Sequence, residues 1–225
     1  MIYHVYSAYS PTNPDTRRRM NFAEQTWKNQ GWNEIPVADS LMRRFVDEKS
    51  RVPYIRDIIN FGCNGKEFTD IMVLTNSDIC CVPECRLEIV AGLMFSDAVC
   101  ASRKDFGKLT SPLSKSQAST GRHYPGIDLF AFRVRWWMQN GNDYPDLLLG
   151  REIWDLVMFC LMERTNPNSQ IRISDLIYHE NHYQFWADPK HKYKLKSQLH
   201  NISLGRGWLD SHGISMGRFS HQYWV

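Results

Sequence analysis

Asn76-Ser77-Asp78 follows directly on the apolar run Ile71-Met72-Val73-Leu74, so a carboxylate and two small hydrogen-bonding side chains stand at the end of a segment built to be buried. In an open α/β sheet such a strand delivers its last residues to the carboxyl edge, where ligands bind. A carboxylate there suits a hard divalent cation that carries phosphate oxygens. The same triplet also fits an Asx-type turn in which Asp78 satisfies nearby backbone N–H groups. Asp128 lies between Ile127 and Leu129 in a second strand-like run. A charge in that setting needs an arginine, backbone N–H groups or ligand hydroxyls. His179 and His182 flank Glu180-Asn181. Three apart, they share one face of a helix but point to opposite sides of an extended segment. Arg17, Arg18 and Arg19 open a helix after the first strand, where they form either a solvated face or a contact to a phosphate.

The elements that must position these groups alternate between strands and helices. Ile2–Tyr9 reads as the first strand, Ser10–Asp15 as a turn-rich loop, and Thr16 as the cap of a helix whose apolar face is Phe22, Ala23, Thr26 and Trp27. Ile35–Ala38 is a short strand. Arg51–Ile59 reads as a helix with Pro53 in its first turn. Then come the central strand, a helix over Cys85–Phe95, and a strand over Ala98–Ala101. Residues 107–125 carry few large apolar side chains and read as a long surface loop. Gly126–Phe132 is a strand, Glu152–Arg164 a helix, and Ile171–Ile173 a brief strand. This order implies an α/β fold, a single layered domain with a mostly parallel central sheet flanked by helices.

Composition narrows the classes of function. A formal charge of +3 is too small to argue for nucleic acid by itself. No apolar run approaches a membrane span, and the N-terminus does not read as a signal peptide. The six cysteines form no CxxC pair, which removes zinc-ribbon and thioredoxin readings. They read as buried free thiols of a reducing compartment, hence a cytoplasmic protein.

Several pieces recur in one order: the first strand, Asn76-Ser77-Asp78, Pro125–Phe130, Leu149-Gly150-Arg151-Glu152-Ile153-Trp154-Asp155 and His179–His182. With them the chain resembles the GT-A class of nucleotide-sugar glycosyltransferases, in particular the family-2-like branch of bacteria and their viruses. The resemblance covers about residues 1–186. It implies a nucleotide-sugar-binding half (1–100) and an acceptor-side half (101–186), followed by a basic, aromatic segment (187–225). It implies Mn²⁺ or Mg²⁺ at a DxD-like element, held by Asp78 and completed by His179 or His182. Here Asn76 stands where the family's first Asp would be, which lowers the negative charge. The acceptor-side element implies Asp155 as general base in an inverting reaction, with Glu152 the second choice. In a retaining reaction Asp155 would position the acceptor instead. Trp154 would raise the pKa of Asp155 by desolvation or stack on a sugar face. The implied substrate-binding set is Asn76, Ser77, Asp57, Arg103, Asp105, Asp128 and Trp154.

The resemblance implies transfer of a sugar from a nucleoside-diphosphate sugar to a hydroxyl acceptor, either a glycan or small molecule or a hydroxylated DNA base. For nucleic acid the footprint is Lys190–Lys196, interleaved with Tyr193 and followed by Arg206 and Arg218. Two alternatives use the same architecture. One is a sugar-nucleotide-binding module without turnover. The other is a sugar-phosphate nucleotidyltransferase, which Ser10–Asp15 disfavours because it contains no glycine.

Overall fold

The computed structural model describes residues 1–8, 11–38, 40, 43–46, 51–167, 171–182 and 195–216. The chain opens with β1 (Ile2–Ala8) and α1 (Pro14–Lys28). Asn13, not Thr16, caps that helix: its side chain accepts from the N–H groups of Asp15 and Thr16, and Pro14 takes a position that needs no donor. Next come β2 (Asn33–Ala38) and the antiparallel pair β3 (Arg44–Val46) and β4 (Arg51–Pro53). Residues 51–53 are therefore a strand, and α2 starts after them (Ile55–Cys63). Proline is compatible with the end of an edge strand, which asks no N–H of it.

The chain continues through β5 (Ile71–Thr75), β6 (Ile79–Cys81), α3 (Cys85–Gly92), β7 (Ala98–Ala101) and β8 (Lys104–Phe106). Then come α4 (Lys115–Ala118), β9 (Arg122–His123), β10 (Leu129–Arg133) and α5 (Val134–Asn140). It closes with α6 (Trp154–Thr165), β11 (Arg172–Ile173), β12 (Ile177–Glu180) and α7 (Lys196–Ser211). The stretch expected to be loop, 107–125, contains α4, which a reciprocal Ser114–Gln117 capping box stabilises.

Six strands form the main sheet in the order β11-β7-β10-β5-β1-β2. All run parallel except β10, which is antiparallel to both β5 and β7. β5 is buried throughout because both faces are covered. Met72 and Leu74 join the core shared with α2, α5, α6 and α7, while Ile71 and Val73 join the core shared with α1 and α3. That two-sided burial is why the strand reads as a continuous apolar run. A smaller sheet, β6-β12-β8-β9, stands beyond the carboxyl end of β5. The turn between β5 and β6 is therefore pinned from two sheets. Cys63, Cys80, Cys81, Cys85, Cys100 and Cys160 are all free and buried. Among the described residues no helix is long and apolar enough to cross a membrane.

Candidate active site

Asn76-Ser77-Asp78 is a turn, closed by a hydrogen bond from the Ile79 N–H to the Asn76 carbonyl. The carboxylate of Asp78 does not satisfy that turn. It faces two imidazoles, with Oδ2 at 3.0 Å from His182 Nε2 and 3.4 Å from His179 Nε2. Strand register explains the meeting. In β12, His179 stands opposite Ile79 of β6 on one side and Asp105 of β8 on the other. β12 ends at Glu180, so the chain leaves strand geometry before His182 and returns its ring to the same carboxylate. One ligand atom from each of Asp78, His179 and His182 can be chosen so that all lie within 4.8 Å of one another.

A carboxylate behind the cluster orients it. His179 Nδ1 lies 3.1 Å from Asp105 Oδ1, so Nδ1–H donates to Asp105 and Nε2 is turned toward Asp78. Burial opposes charge on His179, but the Asp105 and Asp78 carboxylates outweigh it and raise its pKa. Burial likewise acts against an ionised Asp78, yet the hydrogen bonds and charges of the two histidines hold it well below the usual carboxylate range.

Arg103 extends the network. Its guanidinium is buried, donating from Nε to Asp105 at 2.8 Å and from Nη1 to Asp128 at 3.0 Å. The guanidinium carbon lies 3.7 Å from the centre of the Tyr124 ring. Asp128 is thus a buried charge with a partner, and its second oxygen accepts from Asn76 Nδ2 at 3.1 Å. Burial still raises the Asp128 pKa, with Arg103 and His179 working against that and Asp78 and Asp105 adding to it. Asn76 therefore contacts Asp128 instead of joining Asp78 as a ligand. Sequence reading did not single out Tyr124. The only hint available was its position two residues before Gly126, at the mouth of the Asp128 strand.

Asp155 sits in the first turn of α6, whose N-cap residue, Ile153, has a left-handed backbone (φ 76°) and no capping side chain. The backbone N–H groups of Leu156, Ile127 and Asp155 itself favour the ionised Asp155 carboxylate. Burial and the nearby charge of Asp128 nevertheless push its pKa up to about 7. The loop that leads into α6 is held by α7. Asn201 accepts from the Leu148 N–H at 2.8 Å and donates to the Leu148 and Glu152 carbonyls. Gln198 Oε1 accepts from the Glu152 N–H, and Arg151 Nε donates to Ser197 Oγ at 2.7 Å. These polar side chains of α7 are all buried. None was legible as part of a site, because polar residues at these spacings look like an ordinary solvated helix face.

Not every residue expected at the site lies there. Trp154 is only 4% exposed and packs on Phe130 with ring centres 5.3 Å apart. It therefore offers no face to a sugar, and its part is to fill the core beneath Asp155. Asp57 pairs with Arg43 at 2.8 Å and lines a groove shared with Asn60 and Lys66, near the turn that leads into β5. It is not among the residues that gather at Asp78. Ser77 is half-buried within the turn, and Glu152 is half-buried with its backbone tied to α7. Arg18 pairs with Glu180 and Arg17 donates to the Pro11 carbonyl, so these arginines bind the protein itself. Within the basic run, Lys190–Lys194 and Tyr193 lie outside the described residues, as does Arg218.

No family model matches the sequence, and no curated protein matches it. Among solved structures the chain is similar to S. aureus TarS, residues 1–349, at 10% identity and a TM-score of 0.48, covering 97% of this chain and 74% of that one. The same protein in complex with UDP-GlcNAc gives 10% identity and a TM-score of 0.46, with the same coverage. Its complex with UDP gives 11% and 0.42, again over 97% and 74%. At these identities the likeness concerns the path of the chain and assigns no residue a role.

Proposed function

We propose that this chain is a metal-dependent glycosyltransferase that moves a sugar from a nucleoside-diphosphate sugar to a hydroxyl acceptor. The observation that carries the proposal is the convergence of Asp78, His179 and His182 at the carboxyl edge of the sheet, in one network with the carboxylates of Asp105 and Asp128. The donor set fits a divalent ion: one carboxylate, two imidazoles and a carboxylate-oriented tautomer. Imidazole ligands favour Mn²⁺ over Mg²⁺. When bound, the ion supplies positive charge against the leaving diphosphate.

The remaining chemistry belongs to side chains of this protein. Asp155, with its pKa near 7, is half ionised at neutral pH and strong enough as a base to matter. In an inverting transfer the acceptor oxygen attacks the anomeric carbon, its proton passes to Asp155, and the bond to the diphosphate breaks. Arg103 holds Asp105 and Asp128 in place, and Asn76 fixes the other oxygen of Asp128. That leaves a preorganised polar floor for donor hydroxyls, which need not be rebuilt in the transition state.

The test is a panel of UDP-, GDP-, dTDP- and CDP-sugars with and without Mn²⁺, scored by released nucleoside diphosphate and by calorimetric Mn²⁺ binding. We expect Mn²⁺-dependent release from at least one donor, lost in Asp78→Ala and His182→Ala. Absence of Mn²⁺ binding to the wild-type protein, or undiminished turnover in Asp78→Ala, refutes the proposal.

A further inference from the structure

A second polar cavity lies beside the short connection between β7 and β8 that carries Arg103. Along this segment Cys100, Ser102 and Lys104 alternate with Ala101 and Arg103. Arg103 faces the carboxylate network, while Cys100, Ser102 and Lys104 line a cavity of about 150 Å³. His123, which pairs with Lys104 in the register of β8 and β9, closes one wall. Arg172, Ser174 and Asp175 complete the lining.

The lining is biased toward donors. An ammonium, a guanidinium, an imidazole and two hydroxyls face a single carboxylate, Asp175. Lys104 Nζ lies 3.5 Å from Asp175 Oδ1, and the Lys104 side chain is only 20% exposed. At that distance the ammonium is paired loosely and keeps donors for a further acceptor, so the lining suits an oxyanion. A cavity of about 150 Å³ has room for a phosphate group.

Its place in the fold indicates which reactant would bring that group. Ile127 lines the cavity, and its backbone N–H is among the groups that favour the ionised Asp155 carboxylate. The Arg172 guanidinium lies 4.4 Å from the centre of the Phe159 ring, and Phe159 is one helical turn beyond Asp155 on α6. Through Ile127 and the Arg172–Phe159 contact the cavity neighbours the end of α6 that carries Asp155, which does not itself line it. We propose that it is an anion subsite that receives the phosphate group of a phosphorylated hydroxyl acceptor and directs the acceptor toward Asp155. This rests on the acceptor-side role of Asp155 given above.

The experiment is an amide NMR titration of the full chain with inorganic phosphate against chloride at constant ionic strength, without metal or nucleotide sugar. We expect saturable shifts at Ser102 and Ser174. Affinity should fall about tenfold or more in Lys104→Gln/Arg172→Gln, as expected for lost charge-assisted bonds. It should rise in Asp175→Asn, which removes the competing carboxylate. A thermal melt matching wild type shows that the double variant is folded. If the double variant does not fold, Asp175→Asn carries the test, and unchanged affinity there overturns the site. Absence of saturation, or an equal response in the folded double variant, also overturns it. A hexose 6-phosphate should bind more tightly than inorganic phosphate and add a shift at Leu156, beside Asp155. Equal affinity with no shift at Leu156 overturns the acceptor assignment. Phosphate binding here by a protein that turns over no nucleotide sugar refutes the transferase reading while leaving the anion site standing.

Discussion

Replacing Asp155 by asparagine isolates the cost of ionising this carboxylate inside the fold. Its pKa rises from 3.8 to about 7, which is worth up to ~4 kcal/mol. The sign follows from proton counts. Between about pH 4 and pH 7 the unfolded chain has released the proton that the native state still holds, so wild-type stability falls across that window and then levels off. The amide of Asp155→Asn does not titrate, so the variant gains on wild type by up to ~4 kcal/mol between about pH 4 and pH 7. The figure is an upper bound, because Asp155 keeps a partly exposed edge. The amide also changes how this site meets the nearby backbone N–H groups, at a cost of about 1–3 kcal/mol that offsets the two proteins equally at every pH and leaves the pH dependence of their difference intact. Urea melts of both proteins at intervals from acid to mildly alkaline pH, followed by tryptophan fluorescence, measure the difference. A difference that stays constant with pH, or a variant advantage that grows toward acid, refutes the environment assigned to Asp155. In the transferase assay the same group predicts a kcat/KM that rises with pH through about 7 and then levels.

Asp105→Asn loosens the tautomer and orientation of His179 and should cut Mn²⁺ affinity about 10–100-fold with the fold intact, read by calorimetry and circular dichroism. Arg103→Met strips the guanidinium from Asp105 and Asp128 and should cost about 3–5 kcal/mol, seen as a lower urea midpoint at neutral pH. Asn76→Asp replaces a donor to Asp128 with a second carboxylate. It should destabilise by about 2 kcal/mol at neutral pH and recover toward acid, where one of the two is protonated. Asn201→Leu leaves the Leu148 N–H and the Leu148 and Glu152 carbonyls without their partner. A loss of about 2–4 kcal/mol is expected in chemical denaturation, with hydrogen exchange rising at residues 148–153 first.

The alternation of strand and helix was legible because β5, β7 and β10 are buried on both faces and announce themselves as apolar runs. Element ends were less legible. Pro53 reads equally as a helix start or a strand end, and Asn13 competes with Thr16 as a cap three residues away. Ile153 carries a left-handed backbone that no sequence rule assigns to isoleucine. The meeting of Asp78 with His179 and His182 depends on strand register between β6 and β12, about 100 residues apart, which local pattern does not encode. The part played by α7 was invisible for a different reason. Ser197, Gln198 and Asn201 bond to the loop before α6, and a helix that caps a loop has the same composition as one that meets water.

The charges of the network bear on the substitution at Asn76. Asp78, Asp105, Asp128 and Asp155 place four carboxylates in one electrostatically linked region, where Arg103 is the guanidinium that pairs with two of them. Burial, with the neighbouring carboxylates adding to it, makes Asp128 and Asp155 hold protons more tightly, while Asp78 and Asp105 stay ionised by pairing with His179, His182 and Arg103. An aspartate at position 76 would face Asp128 directly and add a fifth negative charge where neutralising groups are already committed. Asn76 supplies an N–H donor there instead, which lets Asp128 accept from both sides, Arg103 on one oxygen and Asn76 on the other. The departure from two acidic residues around Ser77 therefore need not signal a lost site. It matches a division of labour in which the second position faces the histidines and the first holds a buried carboxylate in place. A divalent ion at Asp78 would require His179, whose pKa Asp105 and Asp78 raise, to release its proton, which makes its affinity rise with pH.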